Sequence, residues 1–394
     1  MRLSINNTSF RANIISKTQA EYLKSRLTSK PNIDIICHES TDKDSANSAL
    51  AISNFLNSKG INSRIILSKD LKALDIIDAS KTFINSKDYK PDLKDRNILC
   101  VDFSSFARSP ISAIPILKSN DVIGIDHHNG INISDNNIEI NEPLNKKDIP
   151  QSKADFYVDT SAKSATAIIY RFFEALGEDI DNLTAYELFS GLVSDCSKKG
   201  YAVANGKTGT ITVSDELIED KNTYEIYQKL KEKLSEEQIA KIAKSVDIMS
   251  HLTPEEEQFK DRLYENLSFS KNSKIAYVAL SPKDKEWIKL GGDTERTSTI
   301  LNRFRQAVLK DEKYKNTEIM LTFYEANGNY RISAHSKNDN LLDYFNFVAN
   351  KTKGIFNDSM GGHPNRGGGK IETLDENTCT NWVRTFIEAA DFFD

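Results

Sequence analysis

"IDIICHESTDKDSANSALAISNFLNSKG" occupies residues 33–60, and the fold is decided there. The opening IDIIC is a short, mostly apolar run of strand length. A polar stretch follows, and from residue 46 apolar side chains recur at helical spacing until Gly60, a helix stop. "SRIIL" (63–67) then reads as the next strand. Strand, helix, strand is the β-α-β pattern of a parallel sheet. Two further buried strands are expected in "NILCVDFSS" (97–105) and "VIGIDHH" (122–128), and the helices "SATAIIYRFFEALG" (164–177) and "AYELFSGLVSD" (185–195) come after them. The fold class expected is therefore α/β with a parallel sheet.

With 394 residues the chain exceeds the size at which single cores stop growing, about 250–300 residues, so at least two domains are expected. Hydrophobic residues at 39% are enough to fill real cores, and charged residues at 28% give no sign of global disorder. A formal net charge of -5 and a pI near 5.8 argue against holding long nucleic acid through an overall field. Neither a secretory segment in "MRLSINNTSFRANIISK" nor a later run of membrane-spanning length is present, so a soluble, cytoplasmic protein without membrane contact is expected. Cys37, Cys100, Cys196 and Cys379 lie far apart without a C-x-x-C pair, which suggests buried thiols rather than a zinc cluster or disulfide framework.

Between residues 214 and 267 the chain turns strongly charged at helical spacing, as in "YEIYQKLKEKLSEEQIAKIAKSVDIMSHL" (224–252), the pattern of a solvated helical connector. A second α/β pattern follows. "KIAYVAL" (274–280), "TEIMLTFYE" (317–325) and "NYRISAHS" (329–336) read as strands, with helices near 294–308, 341–352 and 379–391. The division expected is a catalytic domain over 1–212, a helical linker over 213–268 and a smaller substrate-binding domain over 269–394. "GYAVANGKTGT" (200–210) imitates a P-loop, but five residues separate Gly200 from Gly206 where four are needed, and a β-prone run follows. A nucleotide triphosphatase is excluded on that ground.

In open parallel sheets the active site forms beyond the carboxyl ends of the strands. Acids and histidines stand at those positions. His38, Asp42 and Asp44 follow the first strand as H-x-x-x-D-x-D, Asp102 follows "NILCV", and Asp126, His127 and His128 follow "VIGI". Asp195 comes late in a helix, in "GLVSDCS". Any one of them alone is an ordinary cap, turn residue or buried histidine. Together, mixed imidazole and carboxylate donors suit Mn²⁺ or another borderline divalent ion. Two such ions about 3.5–4 Å apart would share and activate a water for attack on phosphorus.

These residues carry a resemblance. The sequence is similar, from about residue 15 to its end, to the DHH family of phosphoesterases, in the branch with a DHH-associated C-terminal domain, and in layout to nanoRNase/pAp phosphatase proteins. The resemblance implies that His38, Asp42, Asp44, Asp102, His127 and Asp195 hold two divalent ions, Mn²⁺ first, with Mg²⁺ or Co²⁺ as alternatives. Asp102 and Asp44 would be the shared carboxylates. It implies that His128 faces the substrate phosphate and that Asp126 orients a neighbouring histidine, the two being the catalytic pair.

"DSMGGHPNRGGGK" (358–370) aligns with that family's glycine loop, Gly361, Gly362 and His363 matching its G-G-H. Glycines let backbone N–H groups approach an anion closely, although a plain hairpin turn gives the same composition. "RISAHSK" (331–337) aligns with a substrate-contacting strand, so Arg331, Ser333, His335 and Lys337 are candidates to reach substrate. Simple alternation along an edge strand is the competing account. The chain departs from the family at three places: His335 replaces an arginine, Arg366 an alanine and Asn47 a glycine. The resemblance implies that those positions shape the pocket that reads the end of a nucleotide. The function expected is a dinuclear phosphoesterase acting on short oligonucleotides or small nucleotides. A RecJ-type exonuclease, a cyclic-dinucleotide phosphodiesterase and a non-catalytic nucleic-acid scaffold of the same fold are the alternatives, and a homodimer is left open.

Overall fold

The computed structural model describes residues 15–68, 83–91, 95–104, 106–112, 115–116, 121–130, 155–250, 252–280, 294–326, 329–352, 358–371 and 375–393. They fall into two compact units, one built from residues up to 128 together with 134–248, the other from 129–133 together with 249–394. The fold is α/β.

In the first unit the strands β1 (Asn32–Cys37), β2 (Asn62–Leu67), β3 (Phe83–Asn85), β4 (Arg96–Val101) and β5 (Val122–Asp126) are followed by β6 (Asn129–Gly130), which joins the second unit, and β7 (Asp155–Val158). Six of them form one sheet in the order β3-β2-β1-β4-β5-β7, every pairing parallel. Chain order reverses between β1 and β4, so loops leaving those two strands diverge and open a crevice at their carboxyl ends. Both faces of the sheet are covered, which is why its strands read as continuous apolar runs. Ile33, Ile35, Leu99 and Val101 point into one core, and Ile36, Ile98 and Cys100 into the other.

The helices of this unit are α1 (Lys17–Leu27), α2 (Lys43–Ser58), α3 (Ala165–Leu176), α4 (Asn182–Lys198), α5 (Asp215–Glu219), α6 (Lys221–Glu232) and α7 (Glu236–Ser250). Asp42 caps α2, its carboxylate accepting from the Ser45 N–H, and Ser45 returns the bond in a capping box. The segment expected as a solvated connector is divided. Leu217, Ile226, Tyr227, Leu230, Ile242, Ala243 and Val246 are buried in the first unit's main core, so the helices up to residue 248 lie on that unit. Their charged residues cover one face only, and the apolar stripe beneath is what composition alone undervalued. The segment that imitates a P-loop is a two-stranded hairpin, β8 (Ala202–Asn205) and β9 (Thr210–Val213).

The second unit holds α8 (Pro254–Arg262), β10 (Ser268–Phe269), β11 (Ile275–Ala279), α9 (Thr294–Lys310), β12 (Ile319–Ala326), β13 (Asn329–Ser336), α10 (Leu341–Lys351), β14 (Asp358–His363), β15 (Arg366–Ile371) and α11 (Glu376–Phe392). Its sheet runs β10-β11-β12-β13-β15-β14-β6, with β11 and β12 parallel and the other pairs antiparallel. Ile332 and Ala334 of β13 enter a core with Trp382, Phe345 and Phe386, while Met320 and Tyr324 of β12 pack on the other face with Phe304. Among the described residues no helix is long and apolar enough to cross a membrane, and all four cysteines are buried and free.

Candidate metal centre

The crevice between β1 and β4 collects residues from five segments. His38 leaves the end of β1, and the loop it starts is fastened by a hydrogen bond from the Glu39 N–H to the Arg108 carbonyl at 2.7 Å. Asp102 leaves β4 with φ at 66°, in the left-handed region, which an aspartate tolerates better than most side chains. Its N–H bonds the Ile125 carbonyl at 2.8 Å, and this holds the turn against β5. His127 follows β5, while Asp44 and Asp195 are presented by the first turn of α2 and the last turns of α4.

These atoms converge in pairs. His38 Nε2 lies 3.4 Å from Asp102 Oδ2 and 3.6 Å from Asp42 Oδ1. His127 Nε2 lies 3.2 Å from Asp102 Oδ1, 3.4 Å from Asp195 Oδ2 and 3.7 Å from Asp44 Oδ2. Asp102 thus sends one oxygen to each histidine. Candidate ligand atoms of His38–Asp42–Asp102 fall within 4.8 Å of one another, as do those of Asp44–His127–Asp195 and Asp102–His127–His128.

Surrounding bonds fix how each group points. His127 Nδ1 lies 3.2 Å from the Ala162 carbonyl, so the N–H belongs on that nitrogen and the Nε2 lone pair faces the acids. The Asp44 carboxylate sits at the N-terminus of α3, accepting from the N–H groups of Ala165 at 2.7 Å and Thr166 at 3.0 Å and from the Thr166 hydroxyl at 2.9 Å. Asp126 is buried and spends Oδ1 on the His127 and His128 N–H groups and on His128 Nδ1 at 2.7 Å. It orients His128, which is the more exposed of the two histidines.

Electrostatics show what such crowding costs. Burial pushes the Asp44 carboxyl up to about 8, and the neighbouring charges of Asp102 and Asp195 add to the effect. Burial opposes ionisation of Asp102 as well, but the close imidazoles of His127 and His38 outweigh it and hold that carboxyl below its usual range. Buried Asp102 Oδ1 and His38 Nδ1 have no hydrogen-bond partner among the described residues. Clustered carboxylates, imidazole lone pairs turned toward them and an unsatisfied carboxylate oxygen at their middle form a donor set that fits divalent cations.

Residues 32–193 match the family model described as DHH family, N-terminal domain. The matched span contains β1 to β5, His38, Asp42, Asp44, Asp102 and the Asp126–His128 run, and ends two residues before Asp195. None of the curated proteins compared matches the sequence significantly. Among solved structures, the chain is similar to an exopolyphosphatase-related protein from Bacteroides fragilis, with a TM-score of 0.63 at 17% identity over 95% of this chain and 97% of that one. It also matches CDC45 from Entamoeba histolytica, TM-score 0.43, 11% identity, 95% and 99% of the two chains. A pGpG-specific phosphodiesterase from Vibrio cholerae gives a TM-score of 0.27 at 11% identity over 91% and 99%.

The second unit carries the other residues singled out from sequence. The glycine-rich stretch is a hairpin of β14 and β15 turning at Pro364 and Asn365. Gly362 has φ at 144° and the Arg366 carbonyl lies 2.4 Å from where its Cβ would be, so only glycine fits. Gly361 and Gly362 pair with Gly130 and Asn129, the two residues that follow His128 in the chain. The His363 side chain lies outside the described residues. Arg331, Ser333 and His335 share one face of β13, and His335 lies opposite Arg366 of β15. Lys337 does not join them: it is exposed past the strand end and donates to the Lys315 carbonyl at 3.1 Å.

Sequence reasoning missed three features. Arg305 of α9 is buried against this face, bonded through Nη1 to the Thr322 hydroxyl at 2.6 Å, with no carboxylate in ion-pair contact among the described residues. Burial and Arg366 push its guanidinium down to about 9. Gly191 lets α4 close on Asp44, since a Cβ there would stand 2.5 Å from Thr166 Cγ2 and 3.2 Å from Asp44 Oδ1. A glycine inside an apolar helix was the available signal. Lys198 and Lys199 reach back to the acids, and their positions three and four residues after Asp195 were the signal for that contact.

Proposed function

We propose that the chain is a metal-dependent phosphoesterase of the nanoRNase/pAp phosphatase kind, cleaving short oligonucleotides or small nucleotides with two divalent ions. What carries the reading is Asp102, set between His38 and His127 with a carboxylate oxygen facing each. His38, Asp42 and Asp102 would hold one ion, and Asp44, His127 and Asp195 the other, Mn²⁺ being the best match to nitrogen and oxygen donors. When bound, the ions supply a nucleophile from water at neutral pH and positive charge for the phosphoryl oxygens.

The chain's own residues do the rest. Asp126 holds His128 by its Nδ1, and the imidazole so oriented would meet the incoming phosphoester or its proton. The α3 N-terminus holds Asp44 in place by three hydrogen bonds. On the second unit, Arg331, Ser333, His335 and Arg366, with Arg305 behind them, would take the anionic end of the substrate. The buried Arg305 guanidinium, with no carboxylate in ion-pair contact among the described residues, is what supports that role. The net charge of -5 favours short substrates over long strands.

The test is a panel of labelled di- to decanucleotides, pAp, cyclic dinucleotides, short polyphosphate and long single strands, each with Mn²⁺ and with chelator. Turnover of short oligonucleotides and pAp, lost with chelator, is expected. Ring opening alone would assign a cyclic-dinucleotide phosphodiesterase, and salt-sensitive degradation of long strands a RecJ-type exonuclease. No turnover of any substrate with Mn²⁺ refutes the enzyme.

A further inference from the structure

We infer that Lys198 is a resident cation of the acidic cluster, one that incoming divalent ions compete with, so that it sets how tightly the cluster loads. The inference rests on the dinuclear reading above. Lys198 ends α4, and its ammonium lies 2.6 Å from Asp42 Oδ2 and 3.5 Å from Asp195 Oδ1. Those carboxylates belong to different candidate groups, His38–Asp42–Asp102 and Asp44–His127–Asp195. One ammonium therefore spans both.

Asp42 has little left to give. Its Oδ1 accepts the Ser45 N–H at 3.0 Å in capping α2 and faces His38 Nε2 at 3.6 Å, while Oδ2 is taken by Lys198. An ion seated beside His38 and Asp102 must either share Asp42 with a positive charge or dislodge it. Lys199 is placed differently. Its ammonium lies 3.1 Å from Asp195 Oδ2 and donates to the Lys163 backbone carbonyl at 2.6 Å, with a side chain only 12% exposed. It is tied to the frame. The Lys198 side chain is 31% exposed, so solvent can receive it when an ion arrives. Two other roles compete with this one. An ordinary surface ion pair would alter loading little, and a lysine that pre-orients Asp42 would improve loading.

These roles differ in sign, so metal affinity separates them. The full chain is stripped with chelator and titrated with Mn²⁺ alone by calorimetry and by the electron paramagnetic resonance signal of free Mn²⁺. Wild type, Lys198→Gln, Lys198→Met and Lys198→Arg are compared, with circular dichroism reporting that each is folded. The expected result is binding of at least one ion tightened by about tenfold or more in the Gln and Met variants. The chelated forms of both should melt lower than chelated wild type, because the acids have lost a cation, and the Arg variant should stay near wild type. A purely structural lysine would lower stability and affinity together. Unchanged or weaker Mn²⁺ binding in both neutral variants overturns the inference and leaves the dinuclear reading standing. If wild type binds no Mn²⁺, the dinuclear reading falls first.

Discussion

At the scale of single residues, Asp102 combines a left-handed backbone with the central charge of the site, and the two roles can be separated. Asparagine tolerates that backbone as aspartate does, whereas alanine does not. Asp102→Asn should therefore keep the fold while metal-dependent turnover drops about a hundredfold or more, since removing even a group beside a metal's ligands costs 10–100-fold. Asp102→Ala should lose turnover equally and cost about 1 kcal/mol more stability than the asparagine variant, read from urea melts in chelator. Equal melts would show that the backbone stores no strain there, and robust turnover in either variant would end the assignment. His335 offers a second separation. Burial first, then Arg305 and Arg366, hold its imidazole well below the usual histidine range. The unfolded chain takes up a proton near pH 6.5 and the folded one does not, so this contribution to stability is intact above pH 6.5 and is lost as pH falls below it. The loss approaches about 1.4 kcal/mol per pH unit. His335→Gln should flatten the fall in urea midpoint between pH 6.5 and pH 5, and an identical slope in the variant would mean that the folded protein admits the proton.

At the scale of elements, α3 and α4 meet over Asp44 through Thr166 and Gly191. Alanine at position 191 gains about 1 kcal/mol of helix propensity over glycine. Its methyl group, however, would stand 2.5 Å from a buried threonine methyl, and such overpacking costs about 1–3 kcal/mol. The clash should win. Gly191→Ala is expected to lower the melting temperature and weaken Mn²⁺ binding by displacing Asp44. Adding Thr166→Ser, which removes the methyl and keeps the hydroxyl, should restore both, and a stabilised single variant would contradict the packing. The sequence made some of this region legible and hid the rest. β1, β4 and β5 could be read because both faces of a parallel sheet are buried and leave unbroken apolar runs. The acids at their ends could be read because topology places functional groups there. Thr166 and Gly191 could not, since their importance lies in a helix–helix contact between segments far apart in the chain. Arg305 stayed hidden for a similar reason: an arginine on an amphipathic helix looks solvated until β12 and β13 are seen to cover it. The helices up to residue 248 were misplaced because their charged faces dominate composition, although Ile226, Leu230 and Ile242 are core residues.

At the scale of the whole molecule, each unit has its own pair of cores. One unit packs its sheet between the cluster around Ile35 and Leu99 and that around Ile36 and Phe103, the other between Trp382 with Phe345 and Phe304 with Met320. Separate cores of this size unfold as separate cooperative units. Among the described residues every candidate metal ligand lies in the first unit, and a ligand that binds only the folded form stabilises what it binds and nothing else. Calorimetry of the chelated chain should therefore show two transitions. Mn²⁺ at a thousand times its dissociation constant should raise one of them by an amount equivalent to about 4 kcal/mol and leave the other in place. The His335→Gln variant identifies the second unit's transition, because its altered pH response belongs to the peak that Mn²⁺ does not move. If Mn²⁺ shifts both peaks together, the two units unfold as one, and the separation of the two units drawn from their cores fails. If it shifts neither, the crevice at the ends of β1, β4 and β5 does not hold the ions its donor set fits.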